Sequence, residues 1–374
     1  MRPRPSARLE EVGISLIRQV FDAAPPEAIN LGLGEPTFDT PGAILAAAHA
    51  ALERGRLGYT ANAGLPELRR AIAARADAGP DEDSVCVTAG ASEALLASML
   101  ARLGPGDEVL VPDPGYPAYP AIARLAGAKP VAYRLRAEEG FRFTATSLAQ
   151  AVTAKTRAVV LNSPANPTGT VIPADQLEQV AQLAACHDLL VISDEVYREI
   201  YFGERPASYL QVSADGLIIG SLSKMASMTG WRLGWVIGPP AIIRPITVVH
   251  QYAVTCAPTL SQMAALAALG DEATLQLEAM RNRFLAHRDL MVERVQNRLG
   301  FPYLLPQGAF YLLVEAAPVG NSLAVALELL ERARVITVPG AAFGQQADRF
   351  LRLSFSASKD DIREGIDRLA ACLR

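Results

Sequence analysis

Short apolar runs alternate with amphipathic segments between about residues 84 and 238. Seven runs are predicted as strands: Ser84–Thr88, Glu108–Pro112, Ala128–Tyr133, Ala158–Asn162, Leu189–Asp194, Leu217–Ser221 and Leu233–Gly238. Segments such as Pro173–His187 lie between them, with apolar residues at helical spacing. This alternation predicts an α/β fold with a mostly parallel sheet and helices on both faces.

The pattern changes after residue 260. A long helix is predicted from about Leu260 to Leu299. Gln307–Val314 and Arg334–Val338 are typical of short strands, and terminal helices follow. We therefore expect a second, smaller α+β domain. A chain of 374 residues is long enough for two domains with separate cores.

Composition and charge narrow the function classes. The net charge is −4 and no basic run is present, so a nucleic-acid partner is not expected. No apolar stretch approaches the ~20 residues that span a bilayer, and Met1–Pro5 leads into charged residues rather than a signal-peptide core. The isolated cysteines have neither metal nor redox spacing: Cys86, Cys186, Cys256 and Cys372. These features predict a reduced, cytoplasmic protein with no membrane partner.

Polar residues follow five of the predicted strands. They are Gly90–Ser92, Asp113–Tyr116, Asn162–Asn166, Asp194 and Ser221–Lys224. In open α/β sheets, ligands bind outside the carboxyl ends of the strands. We therefore expect these five groups to converge on one crevice.

The most informative of these groups is Ser221–Lys224, which Gly230-Trp231-Arg232 follows closely. A lysine removed from water loses preference for its charged form, so its amine becomes a nucleophile toward an aldehyde. Two serines and an arginine nearby suit a dianionic phosphate. The combination predicts pyridoxal 5'-phosphate, held through Lys224.

The other lysines do not compete for this role. Only four of the 35 basic residues counted as Lys and Arg are lysines. Lys129, Lys155 and Lys359 stand beside turns or charged residues and are predicted on the surface. Lys224 is therefore the one good candidate for a Schiff base with the cofactor.

Two further groups could bind the same cofactor. Thr88–Glu93 is a strand-to-helix turn of small residues, and its helical amides would accept a phosphate. An ordinary βα turn would have a similar composition. Asp194 ends an apolar strand, where a carboxylate needs a partner such as a protonated pyridine nitrogen. A carboxylate that caps the following turn is the alternative.

Four more side chains have candidate roles. Tyr197 and Asn166 could donate hydrogen bonds to the ring oxygen of the cofactor, and Tyr116 could stack on its ring. The Asn166 segment is otherwise a good plain turn, and Tyr116 could equally be ordinary packing. Arg352 lies within an apolar strand and suits bidentate capture of a substrate α-carboxylate, unless it faces solvent from an edge strand.

Taken together, these segments resemble the fold-type I, pyridoxal-phosphate-dependent class I aminotransferases, in the subgroup with aspartate, aromatic and alanine aminotransferases. The matching segments run in the family's order over nearly the whole chain: Leu31–Pro36, Tyr59–Thr60, Gly64–Arg69, Thr88–Ala94, Asn162–Gly169, Ser193–Tyr197, Ser221–Arg232, Pro306–Tyr311, Pro339–Gly344 and Arg352–Phe355. The ordered set is far more specific than any single segment.

The resemblance implies a role for each matching residue. Lys224 would form the internal aldimine and carry a proton between the substrate Cα and the cofactor. Asp194 would pair with the pyridine nitrogen, while Tyr197 and Asn166 contact the ring oxygen. The phosphate would be held by Ala91, Ser92, Ser221, Ser223 and Arg232. Arg352 would bind the α-carboxylate, with help from Asn166 and the Gly34 backbone.

The resemblance also implies an assembly and a domain division. Tyr59 would reach the phosphate of the neighbouring subunit, so a homodimer with shared sites is expected. Residues 41–265 would form the large cofactor-binding domain. Residues 1–40 and 266–374 would form the small domain, which could close on the substrate and exclude water.

The expected activity is transfer of an amino group from an L-amino acid to 2-oxoglutarate. Aspartate specificity is in doubt, because the segment Asp113–Pro117 carries no tryptophan beside Tyr116. Ala165 stands where many family members have asparagine, and we expect this difference to matter little. A carbon–sulfur β-lyase or cyclising synthase of the same fold is the main alternative, since the same pocket serves both. A DNA-binding regulator built on this domain would need a longer segment before Leu31.

Two other enzyme classes find little support in the sequence. The segment Gly32-Leu33-Gly34 lacks the third glycine of a dinucleotide-binding loop, so a Rossmann dehydrogenase is not supported. No metal site is expected, because the four histidines are scattered without ligand spacing: His49, His187, His250 and His287.

Overall fold

The structure is a computed structural model that describes residues 6, 9, 11–77, 79–317 and 320–373. Residues 1–5, which the resemblance assigns to the small domain, lie outside the described residues. The strands are β1 Ile29–Asn30, β2 Val85–Thr88, β3 Glu108–Asp113, β4 Lys129–Arg134, β5 Thr156–Asn162, β6 Leu190–Asp194, β7 Gly216–Ser221, β8 Gly234–Ile237, β9 Tyr303–Leu304, β10 Tyr311–Val314, β11 Val335–Ile336, β12 Val338–Pro339 and β13 Leu351–Ser354.

The α-helices connect and cover these strands. They are α1 Leu16–Asp22, α2 Gly42–Glu53, α3 Pro66–Arg75, α4 Ala91–Arg102, α5 Ala118–Leu125, α6 Ala145–Ala149, α7 Ala174–His187, α8 Leu222–Met225, α9 Pro240–Val254, α10 Thr259–Ala268, α11 Asp271–Arg294, α12 Ser322–Ala333 and α13 Lys359–Cys372. Among the described residues, no helix is long and apolar enough to cross a membrane.

Seven strands form the larger sheet, in the order β2-β8-β7-β6-β5-β3-β4. The five strands from β7 to β4 in this order run parallel, whereas β8 is antiparallel to both β7 and β2. Every residue of β6 and β7 is buried, as expected for parallel strands covered on both faces. The prediction of a mostly parallel sheet is confirmed.

Helices cover both faces of this sheet because successive strand residues point to opposite sides. Val191 belongs to an apolar cluster that includes residues of α7 and α10. Its neighbour Ile192 belongs to a separate cluster with residues of α4, α5 and α9. The near-continuous apolar runs of the sequence therefore correspond to strands buried between two helical layers.

The C-terminal part of the chain contains a smaller, antiparallel sheet. Its four strands have the order β12-β13-β10-β9, and β1 pairs with β11 in a short parallel ladder beside it. A third apolar cluster joins Leu312 and Leu353 of this sheet to Phe284, Leu329 and Ile366 of α11, α12 and α13. The predicted change to an α+β arrangement after residue 260 is confirmed.

Three predicted elements differ in their bounds. The single helix expected over 260–299 is broken, because Gly270 adopts an extended conformation (ψ 169°) as the N-cap of α11. The acidic Asp271 and Glu272 favour a new helical start at that point. The strand expected over Gln307–Val314 begins only at Tyr311, since Ala309 has a φ of 58°. The run 334–338 is divided between β11 and β12.

Candidate active site

A cavity of about 540 Å³ lies at the carboxyl ends of the parallel strands. Its lining includes every predicted site residue except Tyr59: Gly34, Ala91, Ser92, Tyr116, Asn166, Asp194, Tyr197, Ser221, Ser223, Lys224, Arg232 and Arg352. The predicted convergence of strand ends on one crevice is therefore observed. Segments outside the seven-stranded sheet contribute as well, since Gly34 follows β1 and Arg352 lies in β13.

Lys224 lies in α8, a single helical turn that directly follows β7. Its Nζ donates a 2.5 Å hydrogen bond to the Gly34 carbonyl. Burial lowers the pKa of Lys224 to about 8, Glu35 opposes this shift, and Arg352 adds to it. The amine is therefore far more often unprotonated near neutral pH than an exposed lysine, as a nucleophile requires.

The turn between β2 and α4 presents backbone donors to the cavity. Gly90 is the N-cap of α4 with a φ of 92°, a conformation that favours glycine. A Cβ at Gly90 would also lie 2.5 Å from Arg232 Nη2. The amides of Ala91 and Ser92 belong to the first helical turn, where the helix provides no carbonyl partner. These amides suit an anionic ligand.

Side-chain donors from the β7–β8 connection line the same cavity. Ser221 Oγ lies 2.8 Å from both Ser223 Oγ and the Leu233 carbonyl. Arg232 is exposed and donates a 2.9 Å hydrogen bond from Nη1 to the Thr229 carbonyl. Two hydroxyls, a guanidinium and the α4 amides together form a donor set for a phosphate.

Asp194, at the end of β6, is 4% exposed. Its Oδ2 accepts a 2.7 Å hydrogen bond from the Tyr119 hydroxyl, and its Oδ1 accepts one of 3.3 Å from the Val196 amide. Burial raises the pKa of Asp194 to about 6, and both hydrogen bonds oppose that rise. The carboxylate does cap the following turn, but it also lines the cavity and lacks full charge compensation.

Two tyrosine hydroxyls meet near the N-terminal loop. Tyr197 and Tyr311 share a hydrogen bond of 2.7 Å between their hydroxyl groups, and both side chains are buried. A Cβ at Gly34 would lie 2.6 Å from the Tyr311 hydroxyl, so this loop must pass close to the pair. Burial raises the pKa of both tyrosines, which keeps them neutral hydrogen-bond donors.

Arg352 and Asn166 form a polar contact across the cavity. Arg352 Nη1 donates a 2.8 Å hydrogen bond to Asn166 Oδ1, and Nη2 donates one of 2.7 Å to the Gly32 carbonyl. The backbone amide of Asn166 is in turn held by Asn162 Oδ1 at 2.8 Å. The Asn166 segment is thus more than a plain turn, because its side chain orients the guanidinium.

The solvent-facing alternative for Arg352 is wrong. The residue is 2% exposed, and β13 pairs on both sides, with β10 and β12. Its guanidinium carbon lies 4.1 Å from the Tyr311 ring centre and 4.8 Å from that of Phe343. Aromatic faces stabilise a buried cation that is short of carboxylate partners. An α-carboxylate would complete this environment.

Tyr116 lines the cavity beside α5. Its ring packs edge-on against Tyr119, with 5.5 Å between the ring centres. Burial raises the pKa of Tyr116, and Asp194 adds to that rise, so the phenol stays neutral. The ring is therefore available as an uncharged flat surface at the edge of the cavity.

Tyr59 is not brought to the cavity of its own chain. Its side chain is 87% exposed. Tyr252 and Val248 on α9 are also exposed, at 83% and 52%. The contact expected between Tyr59 and a neighbouring subunit stays a prediction.

Sequence reasoning missed three residues that line or support the site. Tyr119 donates a hydrogen bond to Asp194, and Tyr311 shares one with Tyr197. From the sequence alone, a tyrosine in an apolar helix or strand is expected to be an ordinary core residue. Glu35 acts on Lys224 electrostatically and bonds the Thr229 hydroxyl. Glu35 and Tyr311 do lie in segments that match the aminotransferase family, and this match is the only indication of their role in the sequence.

The N-terminal segment also reaches the cavity. Ser15, Ile17, Arg18 and Phe21 contribute to its lining, from the N-cap and body of α1. Arg18 is paired with Asp22 through a 2.7 Å contact, and its side chain is 70% exposed. This segment therefore borders the mouth of the cavity without a buried charge.

The donor set fits pyridoxal 5'-phosphate. A cation beside Asp194, such as a protonated pyridine nitrogen, would stabilise the ionised form of this buried carboxylate. Arg352 Nε is buried and has no hydrogen-bond partner among the described residues, so the guanidinium keeps a donor for an acidic group. Lys224, whose pKa is lowered mainly by burial, lines the same cavity and is influenced by both charges.

Comparison with known proteins agrees with this chemistry. The family model described as aminotransferase class I and II matches residues 26–369. The chain is 39% identical to an aspartate aminotransferase of Pyrococcus abyssi, over 99% of this chain and 98% of that protein. It is 37% identical to aromatic-amino-acid aminotransferase 2 of Thermococcus litoralis, with the same coverage of both chains.

Solved structures show the same similarity in three dimensions. A single mutant of Thermus thermophilus aspartate aminotransferase superposes with a TM-score of 0.94 at 34% sequence identity. The match covers 99% of this chain and all of the other. The similarity therefore extends over both sheets and is not confined to the cavity.

Proposed function

This chain is a pyridoxal-phosphate-dependent transaminase of the class I and II aminotransferase family, and from that premise we propose that it transfers the amino group of an L-amino acid to 2-oxoglutarate by a ping-pong mechanism. The observation that carries the proposal is the meeting of three groups in one cavity. These are the Lys224 amine, the buried Asp194 carboxylate and the Arg352 guanidinium.

When bound, pyridoxal phosphate supplies an aldehyde that bonds to amines and a ring that withdraws electrons from the substrate carbon. Asp194 would stabilise the positive charge on the ring nitrogen. Tyr197 and Asn166 would donate hydrogen bonds to the ring oxygen, and Tyr116 would cover a ring face. The groups that would hold the phosphate are Ala91, Ser92, Ser221, Ser223 and Arg232.

Lys224 has two proposed tasks. Its Nζ would bond covalently to the cofactor before substrate arrives, which its lowered pKa favours. Once the substrate amine has displaced it, the same Nζ would accept the proton that leaves the substrate Cα and would donate it to the cofactor carbon C4'. A pKa of about 8 suits this exchange, because a general base works best when its pKa lies near the operating pH.

Arg352 would bind the α-carboxylate, oriented by Asn166, with the Gly34 backbone alongside. The donor and the 2-oxo acid carry the same α-carboxylate, so one guanidinium can serve both only in turn. This supports a ping-pong order, in which the first product leaves before the acceptor enters. The buried aromatic surroundings of Arg352 would strengthen the ion pair by excluding water.

We further propose the division into a large domain of residues 41–265 and a small domain of residues 1–40 and 266–374. The two sheets with their separate apolar clusters support this division. The protein is proposed to be a cytoplasmic homodimer in which Tyr59 reaches the partner's phosphate site. The high exposure of the large Tyr59 side chain in a single chain supports a contact with a partner at this residue.

The test is a donor screen with purified enzyme and 2-oxoglutarate. Glutamate and the 2-oxo acid of the donor should form in equal amounts, and the Lys224→Ala variant should form neither. Release of ammonia and pyruvate without glutamate would instead identify the β-eliminating alternative. If no glutamate forms, but the enzyme turns over when oxaloacetate or pyruvate is supplied as the acceptor, then 2-oxoglutarate was assigned wrongly.

A further inference from the structure

A hydrogen-bonded pair, Glu93 and His250, lies behind the turn that precedes α4. Glu93 is in the first turn of α4, and its Oε2 accepts a 2.5 Å hydrogen bond from the Ala89 amide. Its Oε1 lies 2.7 Å from His250 Nδ1 on α9. Neither Glu93 nor His250 lines the cavity. The pair therefore contacts the back of the turn whose front faces the site.

The His250 side chain makes no other hydrogen bond among the described residues. The residue is fully buried, among apolar residues of α9 such as Ile243 and Ile246. Its Nε2 has no hydrogen-bond partner among the described residues. Burying an imidazole with one nitrogen unsatisfied costs free energy that a leucine would not. The benefit that offsets this cost is the contact with Glu93.

Among the described residues, only Glu93 accepts a hydrogen bond from the Ala89 amide. Other contacts hold the rest of the turn: the Gly90 amide donates to the Thr88 carbonyl at 2.8 Å, and Arg232 Nη2 lies 3.5 Å from the Ala89 carbonyl. Gly90 is the N-cap of α4 and has no side chain to accept from the helical amides. Thr88 Oγ1 bonds the Gly90 carbonyl at 3.1 Å, and Glu93 bonds the Ala89 amide. Without Glu93, the Ala89 amide would lose its acceptor and the backbone could rotate. The direction of the Ala91 and Ser92 amides depends on that backbone.

We propose that Glu93 and His250 are positioning residues that hold the Ala89–Ser92 turn in the conformation that binds the cofactor phosphate. The inference rests on the proposed function, because it assigns the phosphate of pyridoxal phosphate to this turn. Glu93 holds the backbone, and His250 fixes the Glu93 carboxylate in place. Neither residue touches the reacting atoms.

A positioning role can be distinguished from general stabilisation of the fold by its effect on ligand binding. A positioning role affects binding of the phosphate group, so affinity for pyridoxal phosphate should fall more than affinity for pyridoxal, which lacks the phosphate. A merely structural role would weaken both ligands alike or change only the melting temperature. The ratio of the two dissociation constants therefore separates the roles.

The experiment measures dissociation constants of the full-length chain for pyridoxal phosphate and pyridoxal. Glu93→Ala should weaken pyridoxal-phosphate binding about tenfold or more, as expected for loss of a charged hydrogen bond, and pyridoxal binding by less than about threefold. His250→Leu keeps the buried volume and should shift the ratio in the same direction. Glu93→Gln should restore most of the ratio, because its amide oxygen can still accept from Ala89.

Glu272→Ala is the matched control, since Glu272 is an exposed glutamate in the first turn of α11. It should leave both constants unchanged. If the ratio of the two dissociation constants is unchanged in both His250→Leu and Glu93→Ala, the inference is overturned. If Glu93→Ala does not fold, the result for His250→Leu decides alone. If the wild-type protein binds no pyridoxal phosphate, the proposed function fails first, and this inference fails with it.

Discussion

Asn166 Oδ1 accepts a 2.8 Å hydrogen bond from Arg352 Nη1, although 186 positions separate the two residues in the chain. Asn166 follows a strand of the large sheet, and Arg352 lies in the small sheet. The contact therefore joins the two sheets across the cavity. It also fixes the plane of the guanidinium, which is what bidentate carboxylate binding requires.

Replacing Arg352 by lysine should raise KM for every amino donor by about tenfold or more, with a smaller change in kcat. The physical reason is that a point charge replaces a planar fork that Asn166 and Gly32 orient. Steady-state kinetics with three donors of different side chains measure this. A change confined to one donor would place Arg352 at the side-chain pocket instead.

Borohydride reduction of the holoenzyme should fix the cofactor on Lys224 alone. Lys129, Lys155 and Lys359 are exposed, so they have no reason to hold it. Peptide mass spectrometry locates the modified lysine, and Lys129→Ala serves as the control that should leave the labelling unchanged. Labelling of another lysine in wild type, or retention of stoichiometric label in Lys224→Ala, would contradict the assignment.

Asp194→Asn should stabilise the cofactor-free protein at pH 7 by up to about 3 kcal/mol. Burial raises the native pKa of Asp194 from 3.8 to about 6, so the native state binds the proton more tightly than the unfolded state. Wild-type stability therefore falls as pH rises through 4 to 6, and the penalty is complete above that window. The asparagine variant has no such penalty.

Urea unfolding of both proteins from pH 4 to 8 measures this difference, which should shrink as the pH falls. The same variant should bind pyridoxal phosphate but turn over far more slowly, because the ring nitrogen loses its charge partner. A wild-type protein that is more stable than Asp194→Asn at pH 7 would count against an uncompensated buried carboxylate. Near-normal turnover would contradict the cofactor role.

Mixed dimers test the proposed role of Tyr59. Tyr59→Phe should weaken cofactor binding, and Lys224→Ala should abolish activity. In a hybrid of the two variants, both lesions should fall in one site, which leaves the other site wild-type. Differently tagged subunits purified together should therefore regain about half of the wild-type activity per dimer. No gain over the Tyr59→Phe homodimer under limiting cofactor would show that Tyr59 acts in its own chain or not at all.

The strands and the front of the site were predictable from the sequence for a local reason. A buried parallel strand is a continuous apolar run, and its functional residue stands directly after it, as Asp194 follows β6. Lys224 was identifiable because lysine is rare in this chain. Arg352 was identifiable as a charge within an apolar strand, although its burial was not.

The supporting contacts could not be predicted, because they join distant segments. Tyr119 lies 75 positions from Asp194, and Glu93 lies 157 positions from His250. Neither pair has a periodic pattern that indicates the contact. The break at Gly270 was missed for the opposite reason, since apolar spacing continues through it while the backbone conformation changes.

The half-reaction tests the central claim most directly. The holoenzyme is mixed with one L-amino acid and no 2-oxo acid, and the products are counted per active site. We predict about one equivalent of the matching 2-oxo acid, after which the reaction stops until 2-oxoglutarate is added and about one equivalent of glutamate appears. Continuous release of ammonia with no acceptor present would contradict transamination.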